Sequence, residues 1–157
     1  MRDTKPQFWL KTGLFSIDPS EDEETNPFMY GRQLANWLQA RFVDVGYDDA
    51  EIIPEDWAWC VMRRWDPFML WIGCVNVIDS DLHERVPQEQ KSSYLPDPEK
   101  LIWTCTVGTD SPVWTSFFWK KLLGTVSTDD AVGVVSRQLQ QILSNEKAIV
   151  LVSAKDA

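Results

Sequence analysis

The sequence predicts a single α+β domain over residues 1–157: a mostly antiparallel sheet carrying three helices, in the order β-α-β-β-β-α-α-β. Three observations support this. Residues Trp57 to Ile78 read WAWCVMRRW, then Asp66-Pro67, then FMLWIGCVNVI, two runs rich in β-formers and aromatics around a turn pair, as in a hairpin. Three other segments combine helical periodicity with start and stop signals. Further strand-like runs stand near the two ends of the chain and at Leu101–Val107.

Phe8 to Ile17 (FWLKTGLFSI) is expected as a first strand, with Gly13 marking a bulge or a close backbone approach. Asp18 to Thr25 (DPSEDEET) carries five acids and no base, and is expected as a solvated loop outside the core. Asn26-Pro27 has the cap-then-proline signature of a helix start. From there, helical spacing sets Gly31, Leu34, Ala35, Leu38, Phe42 and Val45 along one side, and Gly46 suits the residue that ends the helix. Gly31 and Ala35, four apart, allow close packing on a sheet. Tyr47 to Asp56 reads as a loop with a short extended piece at Glu51 to Ile53.

In the hairpin, period two places Trp57, Trp59, Val61, Arg63 and Trp65 on one face of the first strand, and Ala58, Cys60, Met62 and Arg64 on the other. The second strand alternates Phe68, Leu70, Ile72 and Cys74 with Met69, Trp71, Gly73 and Val75. Both faces are mainly apolar, so the hairpin is expected to be central and covered on both sides. Residues 79–98 form a long polar connection. A strand follows with Leu101, Trp103, Cys105 and Val107 on one side. Ser111-Pro112 opens a short helix, VWTSFFWKKLL, and Thr128 opens another whose buried stripe is Val132, Val135, Leu139, Ile142 and Leu143. Ala148 to Val152 (AIVLV) reads as the last strand.

At 157 residues and 44% hydrophobic, the chain can bury roughly two-thirds of its unfolded surface without staples. Nine tryptophans imply a core built largely of aromatic rings. A net charge of −9 disfavours nucleic-acid backbones and anionic lipid alike, and points to basic protein partners or small molecules. Cys60, Cys74 and Cys105 are odd in number and widely spaced, which suits buried free thiols in a reducing cytoplasm. The N-terminal residues lack a signal-like apolar run, and no stretch is long enough to span a bilayer, so a soluble cytoplasmic protein is expected.

Chemistry is sparsely signalled. There is no GxSxG elbow, P-loop, HExxH or dinucleotide fingerprint. The sole histidine, His83, lies in Asp79-Ser80-Asp81-Leu82-His83-Glu84, which offers metal donors at no recognised spacing and reads more simply as a solvated loop. No catalytic residue, metal or cofactor is assigned. Glu55-Asp56 before Trp57 could supply paired carboxylates at a strand mouth, or only the turn into the strand. Arg63 and Arg64 point to opposite faces of the hairpin; an arginine beside exposed tryptophans has the make-up of an interface hot spot, and the alternative is a cation shielding rings at the sheet edge. The helix carrying Trp114, Phe117, Phe118 and Trp119 is apolar nearly all round, so homodimerisation through it is a further expectation.

Tyr30-Gly31-Arg32, Leu34-Ala35, Trp37-Leu38 and later Pro54-Glu55-Asp56-Trp57 with Trp59 resemble a group of small bacterial cytosolic proteins of uncharacterised function, over roughly residues 28 to 75. The resemblance supplies no activity or site. In composition (small, acidic, aromatic-rich) the chain is also similar to bacterial toxin-immunity proteins. The expectation is therefore a non-enzymatic bacterial protein that binds another protein, such as an immunity-like inhibitor of a toxin. The runner-up is a small-molecule-binding domain or enzyme with a pocket between sheet and helices, lined by Trp57, Trp59 and Trp71 with Glu55, Asp56 or Arg63 as anchors. Trp65 completes the candidate binding set.

Overall fold

The computed structural model describes residues 5–77, 85–87, 89, 97, 100–110 and 127–155. Among these residues, six strands form one sheet: β1 (Gln7–Thr12), β2 (Ile52–Glu55), β3 (Ala58–Arg64), β4 (Met69–Asn76), β5 (Trp103–Asp110) and β6 (Ile149–Val152). Every neighbouring pair is antiparallel, and the spatial order is β2-β3-β4-β5-β1-β6. Two α-helices stand among the described residues, α1 (Arg32–Asp44) and α2 (Thr128–Asn145). The α+β class is as expected. The element order differs, because the short extended piece before the hairpin is a full edge strand, β2. The expected helix after Pro112 and the His83 segment lie outside the described residues, as does most of 79–98, although Val86 is buried in the main core.

That core lies between one face of the sheet and the two helices. β3 contributes Trp59 and Val61, β4 contributes Leu70, Ile72 and Cys74, and β5 contributes Trp103, Cys105 and Val107. The α1 stripe Leu34, Ala35, Leu38 and Phe42 and the α2 stripe Val135, Leu139, Ile142 and Leu143 meet them. Val45 falls off the stripe and is 59% exposed, because it lies past the last helical turn. Gly46 follows at φ 93, a left-handed conformation that favours glycine. In α2, Ser127 caps the first turn by accepting the Asp130 N–H at 3.2 Å.

The acidic run departs most from expectation. Pro19–Glu23 is a 3-10 turn, and Glu21 is fully buried. Its Oε1 accepts the backbone N–H groups of Gly31 (2.9 Å) and Arg32 (2.8 Å), donors that the first turn of α1 leaves without helical partners. Asn26-Pro27 therefore does not start the helix; a carboxylate from the preceding turn caps it at Gly31. Thr25 Oγ1 donates to the Glu21 and Met29 carbonyls, and the Phe28 N–H donates to Asp22 Oδ1. The Arg32 side chain returns to Asp18, Ser20 and Glu24. The acids are thus internal ligands for a helix end as well as surface charge.

Gly31 packs against the sheet as its size suggested: a Cβ there would stand 2.1 Å from the Cys74 carbonyl oxygen. Beside it, Asn76 joins the two layers, its Oδ1 accepting the Tyr30 N–H at 2.9 Å while its own N–H donates to the Tyr30 carbonyl at 3.0 Å. Gly13 lies past the end of β1 with nothing near the position of a Cβ, so it marks neither a bulge nor a close approach.

Candidate functional site

On the sheet face turned away from α1 and α2, Cys60, Met62 and Trp71 form a second, smaller apolar cluster, with Ile53 and Met69 packed on it. Its geometry is set by two glycines. Trp71 of β4 stands opposite Gly108 of β5 in the ladder, and a Cβ on Gly108 would come within 2.4 Å of the indole. A Cβ on Gly73 would come within 2.5 Å of the Trp57 ring. Each glycine leaves the depth of one side chain above the backbone, and an indole fills it.

Trp57 enters from the turn between β2 and β3. Its ring meets that of Trp71 edge-on, with centroids 5.1 Å apart and planes at 63°. The Trp71 Nε1–H donates to Asp110 Oδ2 at 2.7 Å, which fixes the ring. Between the rings and the β2–β3 ladder lies a cleft of about 110 Å³, walled by Ile53, Met62 and Met69 and flanked by Glu55 and Asp110.

The cleft carries negative potential. The Cys60 thiol is pushed up to about 12, first by burial, then by the charges of Glu55 and Asp110, with Lys5 opposing. A thiol so held is neutral at physiological pH and is no nucleophile. Lys5 places its ammonium 4.5 Å from the centroid of the Trp71 ring. The Trp71 ring thus carries one cation, the Lys5 ammonium, in the neighbourhood of the Glu55 and Asp110 charges.

Comparison with protein-family models, curated protein sequences and solved structures finds no match.

Of the residues singled out in the sequence, Trp57, Trp71 and Glu55 come together here. The others do not. The expected pocket between sheet and helices, lined by Trp57, Trp59 and Trp71, does not gather these rings among the described residues: Trp57 precedes β3 and joins Trp71 on the opposite face, whereas Trp59 is buried under the helices with the Arg32 guanidinium 5.3 Å from its ring centroid. Asp56 sits in the turn, where its carbonyl accepts the Asn26 N–H. Trp65 is 50% exposed beyond the end of β3.

Arg63 and Arg64 do not point to opposite faces. The β3–β4 register shifts between Met62 and Arg64, so β3 carries one extra residue and the alternation breaks. The Arg63 guanidinium lies 4.3 Å from the Phe42 ring centroid and the Arg64 guanidinium 5.1 Å from that of Phe68, both rings of the helix-side core. Burial lowers the Arg63 pKa from its ordinary value, and Asp48 opposes the shift. Arg63 thus shields core rings. Residues missed in the sequence are Asp110, Gly108 and Lys5. Period two marks Gly108 and Asp110 as sharing a face, but only the β4–β5 register sets them beside Trp71 and Met69.

A separate groove of about 410 Å³ runs between the C-terminal ends of α1 and α2, lined in part by Trp37, Arg41, Tyr47 and Gln138. The Gln138 amide donates to Tyr47 Oη at 2.6 Å across it.

Proposed function

We propose that this protein acts without catalysis, by binding a basic protein through the sheet face that carries Trp57 and Trp71. The observation that supports this reading is Trp57: 40% of a large aromatic residue is exposed, supported beneath by a buried indole and flanked by two carboxylates. Partly exposed aromatic anchors over a packed base are what carry binding energy in protein interfaces. The net charge of −9 would steer a positively charged partner and speed the encounter at low salt. A concrete form is an immunity-like inhibitor that covers the basic site of a toxin.

The test is affinity capture from native lysate at low and high salt, with wild-type protein and the Trp57→Ala variant. Recovery of a basic protein that is lost both at high salt and on Trp57→Ala is expected. Recovery of none, or recovery indifferent to both changes, contradicts the reading.

A second reading, small-molecule binding, draws on the groove between the helix ends. Its volume falls within the roughly 300–1,000 Å³ of ligand pockets, and its lining mixes rings with amides and charges. Thermal stabilisation by members of a metabolite library, lost on Tyr47→Ala, would favour it.

A further inference from the structure

We infer that the cleft between the Trp57–Trp71 pair and the β2–β3 ladder is a recognition site for one lysine side chain of the basic partner; this rests on the protein-binding reading above and names the chemistry of its contact. The cleft holds about 110 Å³, well below the roughly 300–1,000 Å³ of pockets that enclose drug-sized ligands. That is room for a single side chain. Its walls match lysine along the whole length of the residue. Ile53, Met62 and Met69 offer an apolar channel for the methylene stem. The exposed Trp57 indole offers aromatic surface to the ammonium, and Glu55 and Asp110 offer oxygens. Asp110 spends Oδ2 on Trp71, but a carboxylate has about four acceptor sites, so it can take an ammonium as well.

The chain itself supplies a second, independent observation. Its own Lys5 rests its ammonium over the Trp71 ring. This ring therefore already holds a lysine head group, and Lys5 Nζ is a working example of the ligand chemistry. Among the described residues, the same lysine is the positive charge opposing Glu55 and Asp110 at Cys60. Removing it leaves the cleft more negative and frees ring surface.

The experiment is an NMR titration of ¹⁵N-labelled protein, followed at the indole N–H resonances. The probe is N-acetyl-lysine N-methylamide, and the uncharged control is the norleucine analogue. The lysine probe is expected to shift the Trp57 and Trp71 resonances saturably, and norleucine is not. Trp57→Ala, at a half-exposed position, is expected to weaken binding about 3- to 10-fold, from the usual strength of one cation–ring contact. Asp110→Asn keeps the acceptor for Trp71 and removes the charge; it should weaken binding and flatten its salt dependence. Lys5→Gln should tighten it.

Equal shifts with lysine and norleucine, or shifts confined to Trp37 in the helix groove, overturn the inference. Two outcomes separate it from the reading it rests on. Capture of a basic partner that survives Trp57→Ala and Asp110→Asn sinks the lysine site but leaves protein binding standing. Saturable lysine binding without any captured partner does the reverse.

Discussion

Trp71 and Gly108 face each other across the β4–β5 ladder, and the indole occupies the space where a side chain at 108 would begin. From this pairing follow the orientation of Trp71, its hydrogen bond to Asp110, and the wall against which Trp57 rests. The cleft is built by an absent side chain as much as by those present.

Gly108→Ala is expected to destabilise the protein by about 1–3 kcal/mol, because a buried ring tied to Asp110 has little room to yield. Gly73→Ala drives its Cβ into the half-exposed Trp57, which can swing into solvent. It should cost less, about 0.5–1.5 kcal/mol, the worth of the aromatic pair. Urea denaturation gives both values. Equal costs would show that the two rings are held alike.

Glu21→Ala is expected to cost about 1–3 kcal/mol, because it leaves the buried N–H of Gly31 without its acceptor and removes a carboxylate from a helix N-terminus. Glu21→Gln keeps an acceptor oxygen and should cost less. Glu23→Ala, in the same acidic run but exposed, should fall within about 0.5 kcal/mol of wild type. A Glu21→Ala variant as stable as the Glu23→Ala variant would mean that the cap is not needed for α1.

The pH dependence at Cys60 runs in a definite direction. Its pKa in the fold, about 12, lies above the ordinary thiol value of roughly 8.5. The folded state holds the proton after the unfolded chain has lost it, so this contribution to stability is complete below about pH 8.5 and is lost as pH rises towards 12. Unfolding free energy should fall over that range, and less steeply in Cys60→Ala. Cys74 acts in the same sense, its thiol raised by a hydrogen bond with Cys105 and by burial. Alkylation of the native protein by iodoacetamide at pH 8 should be slow, and fast once urea unfolds it.

Period and chemistry make much of this fold legible in the sequence. Alternation groups Phe68, Leu70, Ile72 and Cys74, and likewise Leu101, Trp103, Cys105 and Val107, as the sets that the main core buries, and Thr128 with Asp129 and Asp130 marks the start of α2. What escapes depends on register and on contacts between distant segments. Nothing local at Glu21 says that it will turn inward, since the cap it forms needs Gly31 brought to it by packing on β4. The extra residue at Arg63 breaks an alternation that otherwise holds. For the site, Glu55, Trp57 and Trp71 are visible as an aromatic and acidic group, but strict alternation carries Trp57 to the wrong face because the strand begins only at Ala58. Asp110 is invisible until β5 is aligned with β4.

In the proposed complex a basic partner docks on the cleft face. The most direct measurement is oxidative footprinting of the tryptophans in the free protein and in its complex with the captured partner. Trp57 is expected to lose reactivity on binding, while Trp37 in the helix groove keeps its own. Protection at Trp37 with Trp57 unchanged would place the partner on the helices and contradict the account.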